Sequence, residues 1–167
     1  MRRVLLPGAM VALLSMGSGA DAHVTAMPNS APGKSHFIAH FTIPHGCGGS
    51  PTVAVKITLP SGLSDVKPEH KAGWKITVKR YKFSGPGPQT LGSPEEIEWR
   101  GGPLPDDEFE TFDILMMLPP GPETLYFPTV QTCEKGETRW IHVPAAGQQW
   151  HDVKEPAPFV RVTAAPN

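Results

Sequence analysis

Apolar residues recur at every second position through a series of short segments, each bounded by Pro or Gly. In 36–43, Phe37, Ala39, Phe41 and Ile43 share one face, and His36 and His40 fall on the other. In 52–59, Val53, Val55, Ile57 and Leu59 point one way, and Thr52, Lys56 and Thr58 the other. Segment 74–81 places Trp74, Ile76 and Val78 together, and 109–118 gives an apolar face of Phe112, Ile114, Met116 and Leu118. A short strand is predicted at 96–99, ending in a Gly101-Gly102-Pro103 turn, and further strands at 124–130 and 137–143. Segment 159–163 is expected to close an edge. Alternation of period two is the mark of a half-buried strand. Pro128 cannot donate to a ladder, so its segment is expected to be an edge strand or to carry a bulge.

About eight short strands and no helical period predict an all-β fold. Two packed antiparallel sheets bury such alternating faces, so the expected architecture is a single β-sandwich, cupredoxin- or immunoglobulin-like. Composition agrees: 20 Pro and 17 Gly among 167 residues leave little room for long helices. The stretch 84–94 (SGPGPQTLGSP) reads as a long hairpin loop, and the tail after Pro156 as loosely held. The formal net charge of −1 gives no basic face and argues against nucleic acid as a partner.

Residues 1–22 read as a secretory signal peptide. Met1-Arg2-Arg3 is a positive start, Val4 to Met16 is mostly apolar, and Ala20-Asp21-Ala22 is a small-x-small cleavage site. The apolar run is too short for a membrane anchor and is broken by Pro7 and Gly8. The mature domain is then 23–167, expected to be soluble outside the cytoplasm, periplasmic in the first instance, and not inserted in a membrane. In an oxidising compartment the two cysteines, Cys47 and Cys133, 86 positions apart, are expected to form a disulfide.

Export would make His23 the first residue of the mature protein. A terminal His carries a free α-amine and a ring Nδ1, which together close a six-membered chelate ring around a metal. The amine keeps a basic lone pair that an internal amide lacks, and metal binding near neutral pH must displace a proton from part of the population. Nitrogen donors in a tetragonal arrangement suit Cu(II), which heads the divalent affinity order. The plain alternative is that His23 is only where the peptidase cuts. The amino-terminal copper motif with His at the third position is absent, because that position is Thr25.

Beyond residue 22 the sequence resembles the YcnI-like family of secreted copper-binding domains, DUF1775. The matching pieces are AHVTAMP, FTIPHGCGGSPTVAVKITLP, KPEHKAGWKITV, EIEWRGGPLPDDEFETF and LYFPTVQTCEKGETRWIHVP, which span most of 22–144. Their order and combined coverage carry the resemblance; none is a catalytic signature. It implies a β-sandwich holding one Cu(II) per chain, chelated by amine and ring of one N-terminal His with a Trp close by. Those roles fall on His23 and on Trp140 of ETRWIHV. A carboxylate is also implied; Glu108 of DDEFETF is the first choice, with Glu110, Glu134 and Glu137 open. The family's usual context implies a periplasmic copper chaperone or membrane copper transport machinery as partner.

Trp140 also has a reading of its own. Ile141 and Val143 lie opposite Trp140 and His142, so Trp140 need not face the core if Ile141 and Val143 do. Its indole could then lie over a cation, although a strand Trp is ordinarily core. Trp74 and Trp99 read as packing residues, and Trp150 has no assignment. His36 and His40 are about 13 Å apart along one strand, too far to share a metal. His45 sits in a turn beside the expected disulfide, and His70, His142 and His151 read as exposed. Met27, Met116 and Met117 form no cluster, so no dedicated Cu(I) site is expected.

No GxSxG, HExxH or phosphate-binding glycine loop is present. The expected function is therefore non-enzymatic: Cu(II) acquisition, storage or delivery by ligand exchange. Two alternatives stand beside it. A copper oxidase or oxygenase of a polymer would need a second His, and none is clearly placed in the sequence. A metal-free interaction sandwich would bind no copper.

Overall fold

The computed structural model describes residues 22–81 and 92–166. The signal-peptide assignment and most of the 84–94 loop lie outside the described residues. Within them the chain forms twelve strands and one 3₁₀ turn, with no α-helix. The strands are β1 Thr25–Met27, β2 Ser30–Pro32, β3 His36–Ile43, β4 Thr52–Thr58, β5 Ser64–Pro68 and β6 Trp74–Arg80. Then come β7 Pro94–Leu104, β8 Glu110–Met117, β9 Glu123–Tyr126, β10 Thr129–Cys133, β11 Glu137–Trp140 and β12 Phe159–Thr163. No helix among the described residues is long and apolar enough to cross a membrane.

One sheet runs β1-β3-β8-β5 and the other β11-β10-β4-β7-β6. All ladders in these two sheets are antiparallel. Their inner faces meet through Phe37, Ala39, Phe41 and Ile43 of β3, Phe112, Ile114 and Met116 of β8, and Val55, Ile57, Ile97 and Trp99 opposite. The alternation read from 36–43 and 109–118 is thus the core pattern. Aromatic rings bridge the layers: Phe112 sits 5.5 Å from Trp99 and 5.0 Å from Trp74, both edge-on. A β-sandwich is therefore the architecture, as the period-two pattern requires.

A third sheet, β2-β12-β9, covers one end of the sandwich, with β2 parallel to β12. It corrects two expectations. Segment 159–163 is the central strand of that sheet, not an edge, and the tail beyond Pro156 is held, with Ala157, Val160 and Val162 buried. The predicted strand 124–130 is two strands, β9 and β10, in different sheets. Pro128 makes the break: it cannot donate, while its carbonyl accepts from Thr58 N and Phe127 N turns to the Pro158 carbonyl.

Other boundaries move for local reasons. Strand β7 continues through Gly101-Gly102-Pro103 instead of turning there. A Cβ at Gly101 would lie 2.1 Å from the Gly73 carbonyl oxygen, so only glycine lets β6 and β7 approach this closely. In β4 a bulge between Thr52 and Ala54 reverses the expected facing at its start, burying Thr52 and leaving Val53 half-exposed. The pairs β6–β7 and the Tyr81 N to Ser93 O bond make 74–104 a hairpin, as read from the sequence.

Candidate metal centre

His23 lies two residues before the start of β1. Val24 and Ala26 are buried in the core, so the strand alternation fixes His23 at the end of the sandwich. There it lines a cavity of about 300 Å³ together with His45, Thr138, Trp140, Lys154 and Glu155. The His23 ring lies 5.7 Å from the Trp140 ring and 5.4 Å, edge-on, from Trp150. A larger cavity of about 500 Å³ lies beyond Trp150, between Met27, Tyr126, Phe159 and Arg161; His23 does not line it.

The His23 Nδ1 is buried and has no hydrogen-bond partner among the described residues. Buried polar atoms are nearly always paired, and an orphan is a mark of a ligand or of stored strain. Here the orphan is the ring nitrogen that a terminal amine would join in a chelate. Among the described residues no three His, Cys, Asp or Glu side chains are grouped to hold a metal. Side chains alone do not make this site; a backbone amine at His23 would add the donor that the chain with residue 22 attached lacks.

The expected facing of Trp140 is corrected. Trp140 is buried at 4% exposure, while Val143 is exposed and Ile141 only half-buried. Strand β11 ends at Trp140, and Ile141 N turns back to the Arg139 carbonyl, so the alternation stops there. Trp140 nevertheless lies at the end of the core, and one part of its ring borders His23.

Strand β10 holds the surroundings in place. The fully buried Gln131 accepts from Trp140 Nε1 at 3.1 Å through Oε1. Its Nε2 donates to the His45 carbonyl at 2.6 Å and to Thr52 Oγ1 at 2.8 Å. Two residues on, Cys133 is disulfide-bonded to Cys47, with the Cα atoms 6.0 Å apart. The expected disulfide is present, and it pins the 45–47 turn to the strand that orients Trp140. Trp150, in the 3₁₀ turn Trp150–Asp152, is held by its Nε1 donating to the Ala157 carbonyl at 2.7 Å.

None of the four candidate carboxylates lines the His23 cavity. Glu108 is exposed in the β7–β8 loop and does not line the His23 cavity. Glu110 pairs with Lys71, Glu137 with Arg139, and Glu134 lines a separate cavity beside Gly48 and Gly49. The acid in the His23 cavity is Glu155, which sequence reasoning missed because it lies 132 positions from His23 in an irregular segment. Its backbone has φ of +50°, a conformation that costs a non-glycine residue about 1–2 kcal/mol. No sequence signal marked it.

The remaining assignments are as follows. Trp99 is fully buried and Trp74 partly buried against the core, so both are packing residues. His70, His142 and His151 are exposed. His40 pairs with Asp113 at 2.6 Å on the outer sheet face, away from the His23 cavity.

A family model described as "Domain of unknown function (DUF1775)" matches residues 23–162. Among solved structures, an uncharacterized protein from Nocardia farcinica, described as having an immunoglobulin-like fold, is similar at 26% identity and a TM-score of 0.68. That match covers 85% of this chain and 99% of the other. A non-cellulosomal cohesin from Archaeoglobus fulgidus aligns at 10% identity and a TM-score of 0.44, over 85% and 91% of the two chains. None of the curated proteins matches the chain.

Proposed function

The chain belongs to the DUF1775 family, and we propose that its mature form, beginning at His23, is a periplasmic protein that binds one Cu(II). The α-amine and Nδ1 of His23 hold the metal. The observation that carries this reading is the buried, unpartnered Nδ1 of His23 in a cavity lined by Trp140 and Glu155. A nitrogen and oxygen donor set fits Cu(II). The carboxylate role passes from Glu108 to Glu155, which is the acid at the cavity. Trp140 and Trp150 wall the metal from solvent on two sides and offer it aromatic faces or edges rather than donor atoms.

The protein acts as a carrier, not an enzyme. Cu(II) is its cargo, exchanged with a periplasmic copper chaperone or membrane copper transport machinery. Because the cavity opens at the end of the sandwich, a receiving protein can reach the metal from the side of Lys154 and Glu155. The alternative of a copper-dependent oxidase of a polymer is tested by ascorbate- or peroxide-driven oxidation of polysaccharides; turnover there would displace the carrier reading.

The decisive experiment compares protein beginning at His23 with protein retaining Ala22 as its first residue, the Ala22 amine being acetylated. Retaining the acetylated Ala22 converts the His23 amine into an amide, leaves no free α-amine and keeps the His23 imidazole in place. Tight one-to-one Cu(II) binding by the His23 form, lost in the Ala22 form, supports the reading. Equal stoichiometry and affinity in both forms would overturn it.

A further inference from the structure

We propose that His45 is a second imidazole ligand at this site, donating through Nε2, and that removal of residues 1–22 unmasks it in the same event that creates the His23 amine. The proposal rests on the His23 chelate described above.

The geometry is local. His45 Nδ1 lies 2.6 Å from the carbonyl oxygen of Gly46, a contact that the ring satisfies by donating N–H. That bond commits the proton to Nδ1 and leaves the lone pair on Nε2 in the neutral ring. Metal-ligating histidines are characteristically held in this way, one ring nitrogen donating to a backbone carbonyl while the other is free for the metal. The free nitrogen, Nε2, lies 3.0 Å from the carbonyl oxygen of Ala22. That oxygen is two bonds, about 1.2 and 1.3 Å, from the nitrogen of His23. His45 Nε2 therefore lies within about 5 Å of the atom that becomes the mature α-amine.

The position is built. The His45 carbonyl accepts from buried Gln131, the His45 ring stands edge-on to Trp140 at 6.4 Å, and the disulfide fixes Cys47 two residues on. A Cβ at Gly46 would lie 2.1 Å from the Ser50 carbonyl oxygen, so the turn that aims His45 closes only with glycine. The same cavity is lined by His23, His45 and Trp140.

The contact with Ala22 has a second consequence. In the uncleaved chain the Ala22 carbonyl oxygen occupies the direction along which Nε2 would meet a metal. Loss of Ala22 removes that oxygen and opens the position in front of Nε2. Processing thus supplies two donors together, and the precursor is disarmed at both. The resulting set is one amine and two imidazoles, with Glu155 adjacent.

The test uses Cu(II) electron spin echo modulation, which counts bound imidazoles through their remote nitrogens, alongside Cu(II) titration. Four samples are compared: the His23 form, the form retaining Ala22, and His45→Ala in the His23 form with and without added imidazole. The expected result is two imidazoles in the His23 form and one in His45→Ala, with affinity lower by at least about tenfold. Added imidazole should restore the two-imidazole signal in His45→Ala, which a merely misfolded variant would not do. One imidazole in the His23 form and in His45→Ala alike, with binding still dependent on the free amine, overturns the His45 assignment and leaves the His23 chelate standing. Copper binding indifferent to Ala22 overturns both. Should His45→Ala fail to fold, His45→Gln serves in its place, with the same loss of one imidazole expected.

Discussion

Trp140 and Gln131 are joined by a buried hydrogen bond, the indole Nε1 donating to the amide Oε1 at 3.1 Å. The other end of the same amide holds the His45 carbonyl and the Thr52 hydroxyl. One side chain on β10 thus positions both the aromatic wall of the cavity and the turn that carries the second histidine. Replacing it by Leu would orphan the Trp140 N–H and the His45 carbonyl in the core. A buried group left unsatisfied costs about 1–3 kcal/mol. We expect Gln131→Leu to lower the unfolding free energy by about 3 kcal/mol in urea titration and to weaken Cu(II) binding in the folded fraction. Unchanged stability would show that the network relaxes to find other partners.

The His23 ring lies within 6 Å of two tryptophan rings, Trp140 and Trp150. Cu(II) held by His23 should therefore quench indole fluorescence strongly and stoichiometrically. Trp140→Phe should keep most of the affinity, lose part of the quenching, and cost about 1–2 kcal/mol of stability through the orphaned Gln131 oxygen. A Trp140→Phe protein quenched as fully as the parent would place the metal away from Trp140.

The Cys47–Cys133 bond closes a loop of 86 positions between the 45–47 turn and β10. In the chain-entropy model a loop of this size is worth roughly 4–5 kcal/mol. Cys47→Ser with Cys133→Ser should lower the melting temperature substantially and loosen the His45 turn, reducing Cu(II) affinity. Non-reducing peptide mapping of the parent should recover the linked pair; two freely alkylated thiols would contradict the pairing.

The legible part of the chain was the part governed by period two. Phe37 to Ile43 and Phe112 to Met116 each present one continuous buried face, so periodicity alone marks strand and facing. The disulfide followed from two cysteines in a chain whose sequence reads as exported. What was not legible depends on breaks in the period. Thr52 is buried because a bulge flips the strand, Trp140 is core because β11 stops there, and β1, β2 and β5 are too short to show alternation. The cavity joins His23, His45, Trp140 and Glu155 from four separate stretches of chain. His23 was legible from the cleavage pattern. His45 was read as a turn residue beside a disulfide, which it is; its aim at the terminus needs the fold. Glu155 lies in a segment with no periodic signal, and Glu108 was named on the family resemblance alone.

Glu155 and Glu108 therefore make the sharpest contrast. Glu155 lines the His23 cavity, whereas Glu108 is exposed in the β7–β8 loop and does not line it. Glu108→Gln should leave Cu(II) affinity and the electron paramagnetic spectrum unchanged. Glu155→Gln removes the anionic oxygen proposed for the metal, and should lower affinity about tenfold, equivalent to about 1.4 kcal/mol, and shift the copper hyperfine splitting. The backbone gives an independent check. Glu155 sits at φ of +50°, where glycine is at ease and other residues pay about 1–2 kcal/mol. Glu155→Gly should hold or raise the unfolding free energy while weakening copper binding at least as much as Glu155→Gln. Stability gained with affinity lost is the signature of a residue kept for its side chain. If Glu155→Gly lost stability and kept its copper, Glu155 would be a structural residue and the site would have no carboxylate ligand from that segment.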